Sequence, residues 1–258
     1  MQEVKINTPF AYELLICVGN RDVTFWAHHK KNDEFLCITT SDYQALQNTI
    51  DNSVNISEEF SGVKIVYGGT DMSIVPTPVF NPDEVQNIYA LTHTGNSNET
   101  LLNTALIKNN ATILFPVNKE IHQLLVDKFN GAEVYHELGV LLDTINQHVG
   151  YCLNVRLNKG KIMLAVTNNN KLVLANTYNY SQPEDAVYFV LNACEQLNID
   201  PATVKGNIIN ITDKFWNTVL LIQDYCPEIK TVNVTTLPEF ENTDAENGLL
   251  LFNLAKCE

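Results

Sequence analysis

Arginine is nearly absent from this chain. Only Arg21 and Arg156 occur in 258 residues, and acidic side chains outnumber basic ones 30 to 16, for a net charge of −14. A nucleic-acid backbone or an anionic membrane surface is recognised by clustered Lys and Arg. Here the lysines are scattered, and "HHKK" at 28–31 is too short to form a patch. No nucleic-acid partner is expected. Long apolar runs are missing as well: none approaches the roughly 18 residues that a membrane span needs, so no membrane insertion is expected. The opening "MQEVKINTPFAYELLICVG" lacks the basic stretch, apolar core and small-residue cleavage site of a secretory leader, which sets the expectation of a cytoplasmic protein.

Paired cysteine motifs are absent. The six cysteines (17, 37, 152, 194, 226, 257) form no CxxC and no tight spacing with histidine. Several sit inside apolar patterns such as "LLICVG" and "GYCLNV", as reduced, buried thiols do. The six histidines show no H-x-E or HExxH spacing, and His28 and His29 would face opposite sides of a strand. No metal site and no cofactor are expected. There is no GxSxG elbow, and no catalytic residue is assigned. The N-x-[ST] sequons are the chance product of an Asn- and Thr-rich chain.

What the sequence does contain is a repeat. Its 45% hydrophobic and 18% charged composition is that of a globular chain, long enough for one large domain or two modest ones. Residues 13–40 read as three short apolar strands separated by "GNRD" and "KKND", and residues 150–178 as three more separated by "LNKG" and "TNNN". A shift of 137 superposes Leu15 on Cys152 and Phe35 on Leu172. After the second meander, "SQPEDAVYFVLNACEQLNI" has helical spacing, with Ser181 and Glu184 read as a capping box. Then come a strand "KGNIINIT", a helix stopped by Pro227 and a strand "EIKTVNVTT", giving the order β-β-β-α-β-α-β. The first half is looser. It reads as a poor helix at 41–56, strands at 62–69 and 72–80, and a helix from Asn81, followed by a hairpin through "KNNA", an amphipathic helix ending at Gly131, and a final strand and helix. No linker rich in Gly, Ser or Pro lies near residue 148.

Three strands followed by α-β-α-β is the order of a ribonuclease H-like unit, and two such units in tandem form the core of actin-like ATPases. The expected fold is therefore α/β: duplicated ribonuclease H-like units in an actin-like ATPase fold, two mixed sheets flanked by helices, divided as 1–148 and 149–258. Four stretches carry a family resemblance: "MSIVPTPVFNPDEV" (72–85), "EVYHELGVLLDTI" (133–145), "KLVLANTYNYSQPEDAVYFVLNACEQLNIDP" (171–201) and "LLIQDYCPEIKTV" (220–232). In them the chain resembles a bacterial family catalogued as domain of unknown function 3822. That resemblance covers nearly the whole chain and implies an actin-like fold without an assigned activity.

Actin-like ATPases hold ATP and magnesium between two hairpins, each opening on a D-x-G element. In this chain Cys17 ("CVGNRD") and Asn154 ("NVRLNKGK") stand where those acids would be. Gly68-Gly69 reads as an ordinary turn. With both acids missing and the other chemistries set aside, the expectation is a pseudo-ATPase, a non-catalytic interaction module with an unidentified protein partner. Two alternatives stay open: a divergent nucleotide-binding protein or weak ATPase using the interdomain cleft, and an unrelated enzyme in that cleft. Arg21 and Arg156 both fall in or beside the first hairpins. With Asn154 they are the candidates for binding an anion or other ligand, weighed against solvated arginines. Tyr178, Tyr180 and Tyr188 are the candidates for partner binding, weighed against packed tyrosines. Homodimer formation through sheet edges is the further option.

Overall fold

The structure is a computed structural model that describes residues 6, 8–53, 56, 59–69, 71–144, 148–158, 160–209, 215–232 and 245–257. Both expected meanders form. In the first, β1 (Glu13–Val18), β2 (Asp22–His29) and β3 (Glu34–Asp42) are antiparallel neighbours. A short α1 (Leu46–Asn52) follows, and β4 (Gly62–Tyr67) returns parallel to β1. The chain then makes a small antiparallel sheet from β5 (Ser73–Pro76), β6 (Glu99–Leu106) and β7 (Ala111–Asn118), with α2 (Val85–Ala90) between β5 and β6. After α3 (Lys119–Lys128), β8 (Glu133–His136) pairs parallel to β4. The sheet order is β3-β2-β1-β4-β8.

After α4 (Glu137–Thr144) the chain enters the second unit and repeats the pattern. Strands β9 (Tyr151–Asn158), β10 (Lys161–Asn168) and β11 (Lys171–Asn179) are antiparallel. They are followed by α5 (Pro183–Gln196), β12 (Lys205–Ile209), α6 (Trp216–Tyr225) and β13 (Ile229–Val232). The order β11-β10-β9-β12-β13 is that of the first sheet, and in both the fourth and fifth strands run parallel to the first. The duplication reaches to irregularities. The β2–β3 register skips Ile38 and the β10–β11 register skips Val173, so each outer hairpin carries a bulge at a corresponding place. A mixed α/β fold of two such sheets is the expected one. The end of "EIKTVNVTT" lies outside the described residues.

Burial explains the apolar runs. The central strand β1 is buried at all six positions and β10 at its six inner ones, because strands covered on both faces cannot alternate. One face of the second sheet packs with α5 and α6 around Leu153, Val155, Leu164 and Val190. The other belongs to a core shared by both units, where Met163, Ala165 and Ile209 join Leu14, Ile16, Phe25, Phe115, Leu138 and Leu141. Each fully buried aliphatic side chain contributes about 1.5–3 kcal/mol, so this shared core binds the units to each other.

Two details differ from the sequence reading. Because α5 begins at Pro183, its N-cap is Gln182 and its third residue is Asp185, so Asp185 rather than Ser181 or Glu184 makes the reciprocal bond. Asp185 accepts the N–H groups of Ser181 and Gln182, each at 3.0 Å, and these bonds hold its carboxyl below the usual range. The sequence also gave no sign of α7 (Ala245–Leu254). Leu250, Leu251 and Leu254 of this helix pack with Leu15, Cys17, Trp26 and Val66 on the first sheet. Residues 245–257, which the division at 148/149 assigns to the second unit, therefore pack on the first. No helix among the described residues is long and apolar enough to cross a membrane.

Candidate functional site

The two first hairpins meet across a cleft. On the first unit, β1 ends at Val18 and turns through Gly19–Arg21, the turn closed by Gly19 N–H donating to Asp22 O at 2.9 Å. Beside it β4 ends in Tyr67-Gly68-Gly69, tied back by Gly68 N–H to Val18 O at 3.1 Å. Gly69 has φ +70°, and a Cβ there would lie 2.7 Å from Asn20 Oδ1. That left-handed backbone favours glycine, and any Cβ would have to displace the Asn20 side chain. The pair Gly68-Gly69 is thus part of a cavity wall rather than an incidental turn.

From the second unit, Lys161 at the start of β10 reaches across. Its Nζ donates to Gly69 O at 2.9 Å and to Asp71 Oδ1 at 3.0 Å. The cavity so framed has a volume of about 280 Å³ and is lined by Gly19, Asn20, Tyr43, Tyr67, Asp71 and Lys161 among others. Tyr43 donates its hydroxyl to Gly19 O at 2.5 Å, and Tyr67 Oη lies 2.7 Å from His122 Nδ1. Burial, helped by Asp22 and Cys17, pushes the Tyr43 hydroxyl up to about 12. Burial pushes Tyr67 further up and lowers His122. All three are neutral near pH 7 and serve as fixed dipoles. A groove of about 670 Å³, bordered by Tyr89, Thr92 and His93, shares Asp71, Glu99 and Pro116 with this cavity.

Beneath the cavity a buried chain of polar contacts joins the units. Glu137, the first residue of α4, accepts Gly69 N–H on Oε1 at 2.7 Å and Arg156 Nη1–H on Oε2 at 2.5 Å. Arg156 is 3% exposed and Glu137 3%. The register of β9 places Arg156 beside Met163 and Ile209 on the face that meets the shared core. Arg156 Nε is buried with no hydrogen-bond partner among the described residues. Asn154, two residues earlier on the same face, accepts from Asn207 Nδ2 at 2.9 Å and has Cys152 Sγ 3.7 Å from its own amide nitrogen.

The last helix engages the first hairpin. Asn247 of α7 donates to Asp22 Oδ1 at 3.1 Å and Thr24 Oγ1 at 3.3 Å, and accepts from Cys17 Sγ at 3.5 Å. So Cys17 and Arg156 each meet a polar side chain on a helix, Asn247 of α7 and Glu137 of α4.

The ligand candidates are therefore not brought together. Arg21 is exposed on its turn and is not among the residues lining the cavity, whereas Arg156 is buried and paired. Asn154 is fully buried in the sheet. Tyr178 stacks on Phe189 at 4.2 Å and 7°, and both it and Tyr180 pack against the second unit's core. Tyr188 alone of the three is strongly exposed, at 62%. Sequence reasoning missed Glu137, Asp71 and Lys161. A lysine directly after Asn-Lys-Gly gave no local sign of a partner some ninety residues away. Among the described residues no group of His, Cys, Asp or Glu could hold a metal ion.

Known structures share this architecture. A Bacteroides thetaiotaomicron VPI-5482 protein with an actin-like ATPase fold and unknown function aligns with 98% of this chain and 100% of its own, at 19% identity and a TM-score of 0.82. The PilM-PilN type IV pilus biogenesis complex contains a chain that aligns with 87% of this one and 89% of its own, at 10% identity and a TM-score of 0.50. At these identities the likeness is one of fold. No curated protein matches the sequence significantly. The sequence pattern of the proteins of unknown function DUF3822 matches residues 1–229, and the chain belongs to that family.

Proposed function

We propose that this chain is a non-catalytic interaction module, a pseudo-ATPase that keeps an actin-like frame without its ATP and magnesium machinery and acts in the cytoplasm by binding a protein partner. The observation that carries this reading is the buried Arg156–Glu137 ion pair. A guanidinium available to a phosphate would be exposed or paired only with solvent. This one is neutralised by a carboxylate of the same chain, in a region where a second anion would have to displace Glu137. Cys17 and Asn154, at the positions of the hairpin acids, are also engaged within the chain, with Asn247 and Asn207. An acidic surface favours a basic or neutral partner, with association that weakens as salt rises. Tyr188, exposed on α5, offers a rigid aromatic contact. The likeness to a chain of the PilM-PilN complex is an analogy of fold, in keeping with partner binding.

Thermal unfolding with and without Mg-ATP tests the reading. A ligand at about a hundredfold its Kd stabilises by roughly 2.7 kcal/mol, and no such shift is expected here. Saturable stabilisation by Mg-ATP, with phosphate release lost in an Asn154→Ala variant, would replace this reading with the divergent-ATPase one.

A further inference from the structure

The two ion pairs that cross the cleft differ in depth. In the inner pair the side chains of Arg156 and Glu137 are 4% and 5% exposed, whereas in the outer pair those of Lys161 and Asp71 are 24% and 48% exposed. Gly69 links them: its N–H is held by Glu137 and its carbonyl by Lys161. The inner contact thus fixes the Gly68–Gly69 segment from below, and the outer one pins it from the second unit. Lys161 lines the 280 Å³ cavity, and Asp71 lines both that cavity and the adjoining groove.

We propose that Lys161 is a gate. Its ammonium, tethered to the second unit, docks on Gly69 and Asp71 and closes the cleft. When it releases, the cavity opens and becomes continuous with the groove across their shared wall of Asp71, Glu99 and Pro116. The buried pair is in place to hold the units together while the outer one exchanges. A partly exposed ion pair is weak and screened by salt, so it opens readily, while a buried one does not. The inference stands whether or not the cleft has lost nucleotide chemistry, because it rests only on how the chain closes on itself.

Amide hydrogen exchange on the full chain tests it, read at Asp71–Ser73 at low salt and at about 0.5 M salt. Lys161→Met should speed exchange there about fivefold, the worth of a partly exposed ion pair. Asp71→Asn should do the same, the double variant should add nothing further, and Lys161→Arg should stay close to wild type. Added salt should speed exchange in the wild type and leave Lys161→Met unchanged. Exchange in Lys161→Met equal to wild type at both salts would overturn the proposal. So would a rise spread evenly through β9, β10 and β12, which would make Lys161 a stabiliser of the whole unit instead of a gate.

Discussion

Glu137→Gln is the sharpest perturbation of this architecture. The substitution keeps the shape of the side chain and one oxygen to accept the Gly69 N–H, but removes the charge that faces Arg156. Arg156 is 3% exposed and already has one nitrogen, Nε, without a hydrogen-bond partner among the described residues, so no solvent compensates. Breaking one half of a buried pair costs about 3–5 kcal/mol. For a chain of this size each kcal/mol lowers Tm by about 2–4 °C, so a loss of about 6–20 °C is expected. Urea unfolding followed by tryptophan fluorescence provides the assay, since Trp26 is buried in the first unit. Glu137→Gln/Arg156→Met then removes the orphaned charge and puts an apolar side chain among Met163 and Ile209. Replacing a whole buried pair is often neutral or stabilising, and the double variant should recover most of the loss. A single variant within about 1 kcal/mol of wild type, or a double no better than the single, would refute the reasoning.

Two other sites give independent checks. Burial lowers the fully buried His136 to about 4. Because its folded value lies below its unfolded value, the stability it contributes is full above about pH 6.5 and is lost as pH falls toward 4. His136→Asn, which keeps an acceptor for Leu138 N–H, should flatten the fall in Tm between pH 6.5 and 4.5, and an unchanged slope would remove His136 as its source. A Cβ on Gly206 would lie 2.0 Å from Leu153 O, in the central β9–β12 pair where the backbone cannot withdraw, so Gly206→Ala should cost more than about 3 kcal/mol in urea unfolding, beyond the ordinary range of point substitutions.

The sequence by itself determined the elements and their repetition. Alternating or continuous apolar runs between Asn, Asp and Gly turns made the two meanders legible. Local chemistry also marked the helix stops at Gly131 and Pro227 and the Asn81 cap, which accepts Asp83 N–H at 3.1 Å. All of these are short-range signals, in which a residue's neighbours within a few positions decide its conformation. The last helix escaped because "AENGLLLFNL" has a glycine and an asparagine in its interior and an unbroken apolar run without helical spacing. Its stability comes from the first sheet, on which Leu250, Leu251 and Leu254 are buried.

The site was hidden for a related reason. Arg156 was noticed as one of two arginines, but its meaning depends on Glu137 and on the sheet face that the β9 register assigns to it. Lys161 acquires its role only when the second hairpin is brought against Gly69 and Asp71, 92 and 90 residues away in sequence. Period and turn chemistry act along the chain, whereas desolvation and charge pairing act through space. Only the packing of one unit on the other decided that the cleft's two inward cations would be answered by the chain's own carboxylates.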